Sequence, residues 1–171
     1  IIKTYGDPYY IKIDVEQYDE VILKKILSNN IFPDYISVEG THQKIFDLLY
    51  DQAGYSSFKL VEGNDVEYLY RNTKIMIGSK IKNFSFIQNS AGPFGNDIHG
   101  EWLSKENFTK LIEFKKFGWR DIHCSNIDLS NKMVNFEKYI NIEKKRKKKT
   151  KLLRRFFRLM SKLNFLKRNE G

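Results

Sequence analysis

Apolar residues recur along the first 62 positions in the patterns of short strands and amphipathic helices. Ile11, Ile13 and Val15 share one face of an extended segment, and the residues after them repeat with helical spacing. The pattern predicts strands over residues 9–15, 34–39 and 57–62, separated by helices over 18–29 and 43–53. An order of β-α-β-α-β with short connections is typical of a parallel sheet covered by helices.

The pattern weakens beyond Gly63. Ser104 is a candidate N-cap for a helix that Gly118 would end. The remaining predicted elements are one or two short strands within 66–77, a strand over 82–88, a loop over 90–100, a helix over 105–117, a last strand over 119–124 and a helix over 128–142. The fold class is therefore α/β, followed by a helix-prone tail.

Basic residues concentrate in that tail. The chain of 171 residues has 30 Lys and Arg against 21 Asp and Glu, a net charge of +9. Thirteen of the basic residues and none of the acidic ones fall within 144–168, which leaves 17 basic residues against 21 acidic ones elsewhere. We therefore divide the chain into a mildly acidic body, 1–126, and a strongly basic tail, 127–171, and expect the tail to have a partner of its own.

The tail combines its charge with an apolar face. Apolar residues recur at helical spacing among the Lys and Arg side chains, which suits an anionic membrane surface. We rank a membrane surface first, a partner protein second and nucleic acid last, because phosphates would leave the apolar face without a partner. The residues expected to make the contact are Lys147, Lys148, Arg154, Arg155, Phe156 and Phe157.

Cysteine usage and hydropathy indicate the compartment. The single Cys, Cys124, excludes an internal disulfide and fits a reducing compartment. No apolar run in the sequence approaches the length needed to cross a bilayer. We therefore expect a cytoplasmic location that is peripheral to a membrane. A strand begins within about ten residues of Ile1, so we interpret the N-terminus as a cut end.

Carboxylates follow two of the predicted strands at their carboxyl ends. Asp14 and Glu16 come at the end of the first strand, and Glu39 ends the second. In an open α/β sheet this edge is where ligands bind. The three acids would suit holding a cation, accepting hydrogen bonds from a hydroxylated substrate or deprotonating a hydroxyl. The alternative is that Glu16 only caps the following helix.

Five segments resemble one enzyme family in the same order along the chain. The stretch YIKIDVEQYDEVIL, residues 10–23, is similar to the "KIDVEG" strand-to-helix segment of FkbM-type methyltransferases. The other four are PDYISVE (33–39), GYSSFKLV (54–61), SAGPFGNDIHGEWLS (90–104) and GWRDIH (118–123). The resemblance covers residues 8 to about 124.

The resemblance implies about strands 4–7 of a Rossmann-like class I sheet. It also implies methyl transfer from S-adenosylmethionine to a hydroxylated small molecule such as a sugar, with Asp14 or Glu16 as the catalytic residue nearest the acceptor. Gln17 stands where the family has Gly, so the turn would be looser or strained. No glycine-rich loop follows an early strand, so the cofactor would be bound mainly by residues absent from this chain.

The loop from Ser90 to Trp102 is the second candidate site. Polar groups between aromatic walls suit an acceptor pocket or a lid. The alternative is a surface loop anchored by Trp102. The expected substrate-binding residues are Glu39, Asn96, Asp97, His99 and Trp102.

The remaining histidine and cysteine suggest no further chemistry. No HxH or HxxxH spacing supports a metal site. We expect His123 to be hydrogen-bonded in the core and Cys124 to have no chemical role. The rival hypothesis for the whole chain is a non-enzymatic α/β module that docks on a membrane or protein through its tail.

Overall fold

The computed structural model describes residues 2–40, 43–87, 90–115, 119–130 and 135–168. The helices are α1 (Ile2–Tyr5), α2 (Asp19–Ser28), α3 (Gln43–Asp47), α4 (Val66–Leu69), α5 (Lys105–Lys115) and α6 (Phe136–Arg168). The strands are β1 (Tyr10–Ile13), β2 (Tyr35–Glu39), β3 (Ser57–Glu62), β4 (Thr73–Ile77), β5 (Lys80–Phe84) and β6 (Arg120–Ser125). The early β-α-β-α-β order is confirmed.

The main sheet has four strands in the order β1-β2-β6-β3. β1 and β2 are parallel, but β6 lies between β2 and β3 and runs antiparallel to both. The prediction of a parallel sheet is therefore wrong for this last strand, and the sheet is mixed.

The path of α5 explains the antiparallel strand. α5 follows Leu103, which bridges to Phe58 at the start of β3, and it ends where Lys115 pairs with Glu62 at the finish of β3. The chain therefore reaches the carboxyl edge of the sheet just before Arg120 and must run back down.

Helices α2, α3 and α5 all pack on one face of the sheet. That face buries apolar side chains from all four strands, among them Ile13, Ile36, Phe58, Ile122 and Cys124. The opposite face, called the polar face below, carries Tyr10, Lys12, Ser37, Lys59, Asp121 and His123, as the strand registers require. A loop, residues 90–103, crosses this polar face.

Several element boundaries differ from the prediction. Residues 66–69 form a helical turn instead of a strand, and β4 pairs with β5 in a separate hairpin. The helix expected over 43–53 continues from α3 as a π-helix, Leu48–Gln52. Gln88, Phe117 and Gly118, which bounded two predicted elements, lie outside the described residues.

The tail helix α6 begins later than predicted and packs on the body. Asn135 accepts a hydrogen bond from the backbone N–H of Lys138 at 2.9 Å, which caps the helix at its start. Residues 128–130 are not helical. In the first half of α6, Glu143 pairs with Lys115 of α5 at 2.8 Å and with Arg146 of α6 itself. The pair with Lys115 holds this part of α6 to the body. No helix in the described part of the chain is long and apolar enough to cross a membrane.

Candidate functional site

The turn that leaves β1 has a strained backbone. Glu16 has φ +33° and Gln17 has φ +69°, which is the left-handed region that favours glycine. Gln17 therefore adopts the tight turn at a cost instead of loosening it. Glu16 does not cap α2, because the N-cap residue is Tyr18 and makes no side-chain capping bond. Asp19 Oδ1 accepts the Val15 N–H at 3.2 Å and closes the turn.

Two carboxylates pair with one ammonium group at the carboxyl edge of the sheet, and a third lies beside them. Lys12 Nζ lies 2.5 Å from Asp121 and 3.3 Å from Asp14. Glu39 is the strand neighbour of Asp121. We call Asp14, Glu39, Asp121 and Lys12 the acid cluster. The sequence predicted Asp14 and Glu39 but missed Asp121 and Lys12, although alternation along β1 puts Lys12 on the face of Asp14.

Burial and like charges shift the pKa values in the acid cluster. Burial raises the pKa of Asp121, and the Lys12 ammonium opposes this rise. Burial also raises the pKa of Glu39, and the negative charges of Asp14, Asp19 and Asp121 add to the effect. Asp14 itself remains about half exposed, at 51%.

A small pocket of about 20 Å³, room for about one water molecule, opens beside Asp14. Its walls come from the ends of β1 and β3, the start of β6 and the start of the crossing loop. They are Asp14, Gly63, Ser90, Ala91, Trp119, Arg120 and Asp121. Two acids of the cluster therefore line a space beyond the strand ends, whereas Glu16 and Glu39 do not line it.

The acid cluster is better suited to a hydroxyl than to a metal ion. In the part of the chain that the structure describes, no three His, Cys, Asp or Glu side chains are arranged to hold a metal. The Lys12 ammonium already pairs with Asp14 and Asp121 and would compete with a cation for their oxygens. The half-exposed Asp14 carboxylate, which also pairs with Lys12, can accept a further hydrogen bond from a polar ligand.

The loop residues predicted to bind substrate lie elsewhere. The Trp102 indole N–H donates to Asn96 Oδ1 at 2.8 Å, and the indole is 6% exposed. The Lys59 ammonium lies 4.9 Å from the centroid of the Trp102 ring, and the Tyr35 ring packs against the same indole. Trp102 is thus an anchor near the start of β2, about 13 Å along that strand from Glu39.

The side chains of Asp97 and His99 are exposed at the surface. Asp97 follows Asn96 in a turn of 3-10 helix. The backbone N–H of His99 donates to the Tyr70 hydroxyl at 3.1 Å. Burial, together with Arg146 and Lys59, lowers the pKa of His99. The structure therefore does not bring Asp97 or His99 to the acid cluster.

Buried groups on the polar face have perturbed pKa values. Lys59 donates to the Ile98 carbonyl at 2.7 Å, and burial lowers its pKa to about 8. His123 is 2% exposed, as expected of a core residue, and its Nε2 has no hydrogen-bond partner. Burial lowers its pKa to about 3. Cys124 is buried on the opposite face, and burial raises its pKa.

The predicted tail contacts divide into two sets. Arg154 pairs with Asp65, and Phe157 packs on Tyr68 and under Arg71, so both face the body. Lys147 lines the cleft between α6 and β3. The members that point to solvent are Lys148, Arg155 and Phe156.

Comparison of the chain with models of protein families, with curated proteins and with solved structures finds no match.

Proposed function

We propose that this chain forms the acceptor-binding part of an S-adenosylmethionine-dependent O-methyltransferase. The observation that carries the proposal is the pocket beyond the strand ends that Asp14 and Asp121 line. Ligands of open α/β sheets bind at this edge. The resemblance of residues 10–23 to the FkbM strand-to-helix segment supports the same location, because the strand part of the segment leads to Asp14 at this pocket.

Asp14 has the exposure that a base toward a hydroxylated acceptor requires. Its carboxylate is 51% exposed and open to the pocket. Lys12 pairs with both Asp121 and Asp14 and offsets one of their negative charges. In the proposed reaction Asp14 takes the hydroxyl proton, and Arg120 and Ser90 border the bound acceptor.

The sheet supports the assignment to part of a larger fold. Among the described residues β1 pairs with β2 only, so its other edge presents backbone groups to which further strands can add. The described residues offer no glycine-rich loop after a strand for the cofactor, so S-adenosylmethionine would be held by residues outside this chain.

The test is turnover of the full-length enzyme with labelled S-adenosylmethionine and hydroxylated acceptors. We expect Asp14→Asn to lower kcat by about 10²-fold or more, with little change in the melting temperature. Glu16→Gln is the matched control, because Glu16 does not line the pocket, and it should retain most activity. Unchanged turnover in Asp14→Asn would contradict the proposed role.

The second candidate is a non-enzymatic α/β module. The ion pairs of Lys12 favour it, since Asp14 and Asp121 already have a partner within this chain. Calorimetry with S-adenosylmethionine distinguishes the methyltransferase from the non-enzymatic module. The proposal requires S-adenosylmethionine to bind the full-length protein and not this chain alone. If S-adenosylmethionine does not bind the full-length protein, the non-enzymatic module is favoured. If it binds this chain tightly, the cofactor is not held by residues outside the chain, and that part of the proposal is wrong.

A further inference from the structure

The second half of α6 exposes an apolar stripe. We define the outer stripe as Leu152, Phe156, Leu159 and Met160, which are 58%, 55%, 61% and 41% exposed. At 100° per residue the four side chains fall within an arc of about 100°, the width of the apolar face of an amphipathic helix.

The body holds the outer stripe pointing away from itself. Thr150 is 1% exposed, and Arg154 and Phe157 contact Asp65 and Tyr68. On the helical wheel these three side chains lie opposite the outer stripe. The orientation of the helix about its axis is therefore set by contacts of the body, which leaves the stripe on the outermost side.

Basic side chains border the outer stripe. Lys148, Lys151 and Arg155 are exposed and follow one another along one side of it. The segment 144–168 contains 13 Lys and Arg and no acid. An apolar stripe bordered by cations on a helix that lies along a body is the arrangement of helices that bind in the plane of a membrane.

We propose that the outer stripe docks α6 on an anionic membrane surface, with its apolar side chains at the headgroup–acyl boundary and the body on the aqueous side. The charge of the segment selects this partner. A second copy of the chain would bring two cationic helices together, which like-charge repulsion opposes. Nucleic acid would neutralise the charge but leave the apolar side chains uncovered.

Four apolar side chains and a basic border give reversible binding that depends on charge. The test is sedimentation of the full chain with phosphatidylcholine vesicles, with and without about one-third phosphatidylserine. We expect partitioning at least about tenfold stronger on the anionic vesicles, weakening as salt is raised. Equal partitioning on both vesicles, or none on either, overturns the proposal.

A matched pair of variants locates the contact. The outer-stripe variant changes all four residues to Ser and should partition at least about tenfold more weakly. The control changes four exposed apolar side chains of the hairpin region and should partition like the parent chain: Met76→Ser, Ile81→Ser, Phe84→Ser and Ile87→Ser. Loss of binding in the hairpin variant alone overturns the assignment to α6.

Two further measurements keep the result independent of folding. Thermal melts of both variants should match that of the parent chain, since every altered side chain is exposed. Fluorescence of Phe156→Trp should shift to the blue on adding anionic vesicles, and an unshifted spectrum contradicts insertion. If the outer-stripe variant instead changes only the oligomeric state or RNA binding, the membrane proposal is wrong.

Discussion

Lys12 donates a hydrogen bond of 2.5 Å to Asp121 and so links β1 to β6 across the full width of β2. Both side chains are largely buried, at 21% and 12% exposure. The pair holds the carboxyl edge of the sheet together where Asp14 opens on the pocket. The edge is thus fixed by a contact between residues 109 positions apart in sequence.

Removing the cation of this pair should cost stability. Lys12→Met leaves the buried Asp121 carboxylate without its partner, and we expect the free energy of unfolding to fall by about 2 kcal/mol. Part of the loss should be recovered in the double variant with Asp121→Asn. The control is Lys24→Met, whose exposed pair with Glu20 at 2.7 Å contributes at most about 0.5 kcal/mol. If urea unfolding shows that Lys12→Met and Lys24→Met lower the free energy of unfolding equally, the buried pair stabilises the fold no more than the exposed pair does.

The turn at Gln17 should be improved by the glycine that the FkbM segment has there. Gln17 at φ +69° bears a left-handed strain of about 1–2 kcal/mol, which glycine lacks. Since glycine also gains freedom in the unfolded chain, we expect Gln17→Gly to raise the free energy of unfolding by about 0.5–1 kcal/mol. The control is Lys25→Gly inside α2, which should lower the free energy of unfolding by about 1 kcal/mol because glycine disfavours a helix. A destabilised Gln17→Gly would argue against the strained turn.

The sequence predicted those parts of the fold whose signals are local. Ile11 and Ile13 alternate, and Leu23 and Leu27 recur at helical spacing, so β1 and α2 were found within a few residues of their ends. The position of β6 was not predictable from such signals. It depends on where α5 ends, which is a matter of tertiary packing and not of periodicity in 120–125.

Only the part of the candidate site that depends on local sequence signals was predictable. Asp14 and Glu39 end strands that the pattern identifies, so the edge on which they lie was foreseen. Asp121 begins the inserted strand and joins them only through its register with Glu39. Trp102 was weighed as a pocket wall and as an anchor, and its buried bond to Asn96 gives it the role of an anchor.

Trp102 should therefore matter for stability. Trp102→Phe removes the indole N–H donated to Asn96, and we expect the free energy of unfolding to fall by about 1 kcal/mol. Trp119→Phe is the matched control, because that indole is 44% exposed and should change stability by no more than about 0.5 kcal/mol. The comparison is made by urea unfolding followed by circular dichroism. If Trp102→Phe leaves the free energy of unfolding unchanged, Trp102 is not a stabilising anchor, and its role as a wall of a substrate pocket has to be considered again.

The buried ring of His123 should make the fold sensitive to acid. Its pKa is lowered to about 3 by burial and by the charges of Lys12 and Lys59, against 6.5 in its ordinary range. Between these two values the unfolded chain binds a proton that the folded chain excludes, so stability is full above pH 6.5 and falls as the pH drops toward 3.

At pH 4.5 this single group should lower the free energy of unfolding by about 2–3 kcal/mol relative to pH 7. His123→Met removes the group, so the difference between parent and variant across the two pH values isolates it from the carboxylates, which titrate in both. His99→Gln is the control, because His99 is exposed and its removal should leave most of the acid sensitivity in place. If parent and His123→Met lose the same stability between pH 7 and 4.5, the ring accepts its proton in the folded state, and the polar face must then open to water at His123.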